Sequence, residues 1–187
     1  MSAPLSPVER AALLGVARAA IGHRLGLGAA PEIPEAGALG ERRGAFVTLH
    51  RGGELRGCIG RFDPESSLAR TVAEMAVAAA FEDPRFPPLL PEEIADLDLH
   101  VSALGPRRPL PDPSLLRVGE HGLAVRKGWH RGVLLPVVAV EHGWDAPTFL
   151  KHACLKAGLP PDAWLDPATT LEVFDAEEFG EPGRESP

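Results

Sequence analysis

Leu55-Arg56-Gly57-Cys58-Ile59-Gly60 is the stretch around which the chain is organised. It holds one of only two cysteines, an arginine two residues earlier, and two glycines in a run that otherwise reads as a strand. Ala45-Phe46-Val47-Thr48-Leu49-His50 reads as a preceding strand, and Gly52-Gly53 between the two is a hairpin signal. With a two-residue turn, Arg51 faces Glu54, Leu49 faces Arg56 and Val47 faces Cys58. Alternation then puts Arg56 and Cys58 on one face, about 6.5–7 Å apart along the strand, with Leu55, Gly57 and Ile59 on the other. A bulge at either glycine would break this register.

Upstream of the hairpin, Ser6 is a natural N-cap, Pro7 suits the first helical position and Glu9 completes a capping box. Val8, Ala12, Val16 and Ala19, with Leu13 and Ala20 beside them, recur on one helical face, and the helix stops near Gly26 or Gly28. Residues 29–43 read as a surface loop.

Downstream, Asp63-Pro64 or Ser66 opens a second helix whose apolar stripe is Leu68, Val72, Met75, Ala76 and Ala79. Asp83-Pro84 ends it. A short helix over Pro91–Ala95 leads into a strand, Leu97–Leu104, with Leu97, Leu99, Val101 and Ala103 inward. Four prolines in residues 105–113 mark a linker. Beyond it, Gly122–Lys127 and Gly132–Leu135 form a second hairpin around Gly128-Trp129-His130-Arg131, and a turn of helix follows Pro136. Asp145 caps a helix running to Lys156 and stopped by Gly158. Thr170–Phe174 is a last strand, and the tail from Glu181 frays. Alternating strands mixed with helices give an α+β fold with antiparallel sheets.

The formal net charge of −7 and pI near 5.5 argue against a nucleic-acid binder, which wants a basic face. No run approaches a membrane span, and Cys58 and Cys154 are too few for a disulfide framework. The expectation is a reduced, cytoplasmic protein. Neither a Gly-rich phosphate loop nor a tight metal-ligand spacing is present, so no cofactor and no metal are expected.

Cys58 is the candidate nucleophile, since a neighbouring guanidinium favours a thiolate; the alternative is a buried strand cysteine acting as a small apolar residue. Arg56 suits carboxylate or phosphate recognition. Gly57 and Gly60 allow a substrate or another backbone to come close. In Asp83-Pro84-Arg85-Phe86, Arg85 either reaches a ligand or pairs with a carboxylate while Phe86 anchors the core. His121 is a weaker candidate acid or base. It heads a loose group with His130, Glu141, His142 and Asp145, of which Asp145 reads as a helix cap.

With these residues in view, the chain resembles the AMMECR-type family, whose prokaryotic members are known as protein A of the AmmeMemoRadiSam set. The resemblance covers about residues 6–180. It is carried by residues 44–49, 55–60 and Asp83-Pro84-Arg85-Phe86, then by His121-Gly122-Leu123, Leu134-Leu135-Pro136, Trp144-Asp145 with Phe149-Leu150, and residues 156–160. Leu55–Gly60 is the family signature. The resemblance implies two α+β lobes, each with its own antiparallel sheet, and a cleft between them lined by the signature. The larger lobe is expected at about 1–108 plus 167–187 and the smaller at about 109–166.

The family has no settled activity, and two readings stand side by side. In one, the protein is an accessory or partner-binding protein: Leu55, Arg56, Gly57, Cys58, Ile59, Gly60 and Arg85 receive a peptide, protein or small molecule. The implied pathway includes Memo-like and radical-SAM proteins. In the other it is an enzyme, with Cys58 as nucleophile or thiol acid/base and Arg56 binding an anion.

Overall fold

The computed structural model describes residues 4–62 and 65–181. The chain divides into two compact units, Met1–Leu104 with Glu177–Pro187, and Gly105–Ala176.

The first unit begins with α1 (Pro7–Arg24). Its capping box is formed: Ser6 Oγ accepts the Glu9 N–H, and the Glu9 carboxylate accepts the Ser6 N–H at 2.8 Å. The buried stripe is Leu13, Val16, Ala17, Ala20 and Ile21. Val8, expected on that stripe, is 79% exposed. The helix turns its face one residue further round, because Ile21 and Ala17 stack with Leu13 at the helical i, i+4 spacing. Gly26, at φ 75°, allows the chain to leave the helix.

β1 (Ala45–Arg51) and β2 (Glu54–Arg61) follow, joined by Gly52 and Gly53 at φ 59° and 80°. Two positive-φ residues in a two-residue loop match the twist of a hairpin. α2 (Leu68–Phe81) is capped by Ser67, whose hydroxyl accepts the Arg70 N–H. That is one residue beyond the Ser66 start expected from sequence; the alternative Asp63-Pro64 start lies outside the described residues. Leu68, Val72, Met75, Ala76 and Ala79 are all buried, as expected. A 3-10 segment, Pro91–Asp96, leads into β3 (Leu97–Leu104).

The second unit holds β4 (Arg108–Pro109), β5 (Gly122–Lys127), β6 (His130–Leu134), α3 (Pro136–Glu141), α4 (Ala146–Lys156) and β7 (Thr170–Phe174). Asp145 caps α4 through its carboxylate on the Thr148 N–H at 2.9 Å. β8 (Ala176–Gly180) joins the sheet of the first unit. Each unit therefore has one four-stranded sheet, ordered β2-β1-β3-β8 and β4-β7-β5-β6. The pairs β1–β2, β1–β3, β4–β7, β5–β6 and β5–β7 are antiparallel.

The division falls at 104/105 and 176/177, where the sequence places it near 108/109 and 166/167. The reason is β7. It pairs with β5, and Leu171 and Val173 enter the second core with Leu123, Val125, Phe149 and Leu150.

The first core is built by Ala45, Val47, Leu49, Leu97, Leu99, Val101 and Ala103 from the sheet against Leu13, Ala17, Ile21, Leu68 and Val72 from α1 and α2. Each buried Leu, Ile or Val contributes about 1.5–3 kcal/mol. Both helices thus lie on one face of this sheet, and the alternate residues of β1, β2 and β3 form the other face.

Candidate functional site

The register of β1 and β2 decides which side chains accompany Cys58. Arg51 pairs with Glu54 as expected, but the pairing shifts between Leu49 and His50. Beyond the shift, Leu49 lies opposite Gly57, Thr48 opposite Cys58 and Val47 opposite Ile59. The expected pairs Leu49 with Arg56 and Val47 with Cys58 are not formed. One extra residue, Arg56, is accommodated on β2 as a bulge. Leu55 stays opposite His50, as the two-residue turn dictates, and the bulge moves Cys58 to the face of Thr48, so Leu55 and Cys58 share a face that the unbulged register would have kept them from sharing.

Gly57 and Ile59 face the helices. A methyl group at Gly57 would stand 2.1 Å from the Ala79 carbonyl oxygen of α2, so only glycine lets helix and strand approach this closely. Ile59 packs against the first core. At Gly60 the added carbon would fall 2.1 Å from the Phe46 ring, which covers the strand on the other face. The close approach expected at both glycines is made by α2 and by an aromatic ring.

Arg56 is engaged within its own unit. Its Nε and Nη2 donate to the two Glu93 oxygens at 2.9 and 3.0 Å, and Nη1 donates to the Pro87 carbonyl at 3.0 Å. The pair is largely dry, with side chains 12% and 9% exposed. Glu93 also accepts from Arg51 at 3.1 Å and from the Leu90 N–H at 2.8 Å. The Arg56 hydrogen bonds, opposed by burial, hold its carboxyl at about 2.

Arg85 and Asp83 attend the free edge of β2. Asp83 is 4% exposed, and its Oδ2 accepts the Cys58 N–H at 2.9 Å. Its oxygens also take the Arg85 guanidinium at 3.0 and 2.7 Å. The Arg85 Nη2 lies 3.5 Å from the Cys58 carbonyl, and its guanidinium sits 5.5 Å from the Phe86 ring centre. Foremost the hydrogen bond from Arg85, then the N–H of Cys58, hold the Asp83 carboxyl far below the usual carboxylate range. The loop after α2 thus supplies an acceptor and a donor where another strand would otherwise dock.

What β2 leaves on the outward face is Cys58 itself. The residue is half-buried, and its Sγ accepts the Thr48 hydroxyl at 3.2 Å. Thr48 pairs with Cys58 on one side and His100 on the other, so the three side chains share a row. His50, two residues along β1, packs its ring edge-on to His100 at 5.1 Å. Burial, reinforced by His100, lowers the His50 pKa, and Asp98 opposes the shift. Thr48, His50, His100 and Glu93 carried no signal in the sequence reading. Strand alternation could have placed Thr48 and His50 on one face; only the bulge assigns Cys58 to it.

His121 belongs to the second unit and is 5% exposed. Its Nδ1 accepts the Arg117 N–H at 3.2 Å, and Nε2 lies 3.4 Å from the Arg108 guanidinium. Burial, then Arg108 and Arg117, lower its pKa. Arg108 is itself paired with Asp175 at 2.8 Å. Among the described residues no group of three or more His, Cys, Asp or Glu is arranged to hold a metal. No helix among them is long and apolar enough to cross a membrane.

The chain as a whole is similar to known proteins. The AMMECR1 family matches residues 14–179. A protein of Methanothermobacter thermautotrophicus is 48% identical, covering 97% of this chain and 98% of its own. Protein MK0488 of Methanopyrus kandleri is 44% identical, covering 100% and 95%. Among solved structures, the uncharacterized protein PH0010 from Pyrococcus horikoshii aligns with a TM-score of 0.82 at 42% identity, over 94% of this chain and 92% of that one.

Proposed function

The chain belongs to the AMMECR1 family, and from that premise we propose that it is a binding protein. Its recognition surface is the outward face of the first sheet: Leu55, Cys58, Thr48, His50 and His100. The observation that carries the reading is the engagement of Arg56. Three of its nitrogens are bonded to Glu93 and to the Pro87 carbonyl, so the guanidinium is a brace for the strand. The glycines and the Asp83–Arg85 pair likewise hold β2 in place. Such a strand presents a pre-organised surface, which lowers the ordering cost of association.

The partners proposed are a Memo-like protein and a radical-SAM protein of the same cytoplasm, or a peptide segment of either. Hydrogen-exchange mass spectrometry on mixing with each partner tests this. Slowed exchange is expected in 46–50, 55–60 and 98–102. Unchanged exchange there, with binding confirmed by co-elution, would remove this face from the account.

A second reading follows from the half-buried Cys58: thiol chemistry, with His50 the imidazole that β1 places on the same face. Thiol titration of the folded protein separates the two. Reaction of Cys58 only on unfolding would end the catalytic reading. Fast reaction that slows in His50→Gln would favour it.

A further inference from the structure

The hairpin of β5 and β6, in the second unit, carries charge and an aromatic ring that its own fold leaves unused. Its two-residue turn, Gly128-Trp129, has a positive φ only at Gly128, 58°, as a type II′ turn requires. The second turn position makes no demand for a large ring, yet Trp129 occupies it and is 87% exposed. Lys127 and His130 close the turn, and both are engaged. The Lys127 ammonium donates to Asp166 at 2.7 Å, and His130 Nδ1 lies 3.1 Å from the Ala157 carbonyl.

The next pair differs. Arg126 stands directly opposite Arg131, and both are exposed. The pair that closes a two-residue turn is hydrogen-bonded, so Arg126 and Arg131 form the non-hydrogen-bonded kind, in which side chains come closest. Like charges directly opposite destabilise a hairpin. Among the described residues neither guanidinium forms an ion pair or hydrogen bond. On the other side of Arg126 lies Thr170, and the next carboxylate on that face, Glu172, is taken by Arg107 at 3.4 Å. The acidic excess of the chain lies elsewhere: Gly105–Ala176 holds eight Arg and Lys and eight Asp and Glu.

β6 is also the outer strand of its sheet. The same alternation turns the backbone N–H and C=O of Arg131 and Val133 toward the open side. A charged side chain commonly blunts such an edge, and Arg131 alone serves that purpose. Arg126 is on the inner strand, where it adds repulsion and no protection.

We propose that this edge docks an extended acidic segment of a partner protein, added as a strand along β6. The segment's backbone pairs with Arg131 and Val133, its acidic side chains meet Arg131 and Arg126, and an apolar side chain at its end lies on Trp129. The site is independent of the sheet face around Cys58.

The test uses the full chain and an octapeptide of alternating threonine and glutamate ending in phenylalanine, titrated by calorimetry. Saturable binding is expected, and none with lysine in place of glutamate. Methylating the glutamate backbone nitrogens keeps the charge and removes the strand-pairing donors; that peptide should bind about tenfold more weakly or worse. Arg126→Glu turns repulsion into attraction. It should raise the urea midpoint of the second unit, read by tryptophan fluorescence, and weaken the peptide about tenfold. A purely structural arginine would not give that combination. Trp129→Ser should weaken binding by a similar factor at the wild-type midpoint, and Leu55→Asp should leave the titration unchanged. A midpoint that does not rise in Arg126→Glu, equal binding of the methylated peptide, wild-type affinity in Arg126→Glu or Trp129→Ser, or a fall in Leu55→Asp would overturn the proposal. So would tighter binding of oligothymidylate than of the acidic peptide, which would assign the hairpin to a polynucleotide.

Discussion

Asp83 accepts the backbone N–H of Cys58 at 2.9 Å, and this one bond joins the two most distinctive stretches of the chain. Because the Cys58 N–H points to Asp83, it points away from β1, on the free edge of the sheet. Asp83-Pro84-Arg85-Phe86 is thus the clamp on Leu55–Gly60. Truncation of Asp83 to Ala should destabilise the protein by about 1.5–3 kcal/mol, the range for a hydrogen bond to a charged group. Urea unfolding at pH 7 measures this. The Cys58 amide should also exchange faster; a protected amide in the variant would mean that another group holds the edge.

The Arg56–Glu93 pair gives the first unit a defined acid sensitivity. The Glu93 carboxyl lies at about 2 in the folded protein against an ordinary 4.5. A lowered folded value means that the stabilisation is complete above 4.5 and is lost as pH falls from there toward about 2. Removing Glu93 leaves the buried Arg56 guanidinium without its carboxylate, at a cost of about 3–5 kcal/mol, and removing Arg56 leaves the buried Glu93 only the half-exposed Arg51 and the Leu90 N–H. Arg56→Met and Glu93→Gln should therefore each destabilise strongly, and the double variant should lose much less than their sum. Additive losses, read from unfolding curves, would show that the two residues do not act as a pair. Arg56→Ala is for the same reason a poor probe of binding, since any loss would confuse folding with recognition.

The two signature glycines should respond differently to rescue. At Gly57 the obstacle to a methyl group is the Ala79 carbonyl, part of the α2 backbone. At Gly60 it is the Phe46 side chain. Overpacking of this kind costs about 1–3 kcal/mol. Phe46→Leu should recover part of the stability lost in Gly60→Ala, whereas no single side-chain reduction at Ala79 should recover Gly57→Ala. Melting temperatures of the four variants decide it. Failure of Phe46→Leu to help would place the strain in the backbone at both glycines.

Much of this architecture was legible in the chain. The capping box at Ser6, the Gly52-Gly53 turn, the inward alternation of Leu97–Ala103 and the Asp145 cap depend on neighbours in sequence, and each is formed. The site was less legible, because its geometry depends on distant contacts. Nothing in Leu55-Arg56-Gly57 says that Arg56 will bulge out to a glutamate 37 residues away. Nor does Ala176-Glu177-Glu178-Phe179-Gly180 alternate strongly enough to announce β8, whose place is set by the first sheet. The glycines read as places where a substrate or another backbone comes close; the α2 backbone does so at Gly57, whereas at Gly60 the neighbour is the Phe46 side chain, a choice made by tertiary packing.

His121 should make the second unit acid-sensitive in a higher range. Its folded pKa is lowered from 6.5 by burial, Arg108 and Arg117. The associated stability is present above 6.5 and is lost as pH falls below it. All three tryptophans, Trp129, Trp144 and Trp164, lie in Gly105–Ala176, so their fluorescence reports this unit alone. The urea midpoint by tryptophan fluorescence should fall between pH 7.5 and pH 5, and His121→Asn should flatten that fall. An equal slope in the variant would assign the sensitivity elsewhere.

The most direct test is a calorimetric titration of the proposed partners, a Memo-like and a radical-SAM protein, into the wild-type chain, Leu55→Asp and Cys58→Ser. Leu55 is exposed, so its substitution alters the face without disturbing the braces behind it. For the partner that binds the wild type, Cys58→Ser is expected to keep its affinity within about twofold, and Leu55→Asp to lose about tenfold or more, as for an interface anchor. Wild-type affinity in Leu55→Asp, or binding of neither partner to the wild-type chain, would contradict the assignment of this sheet face as the recognition surface.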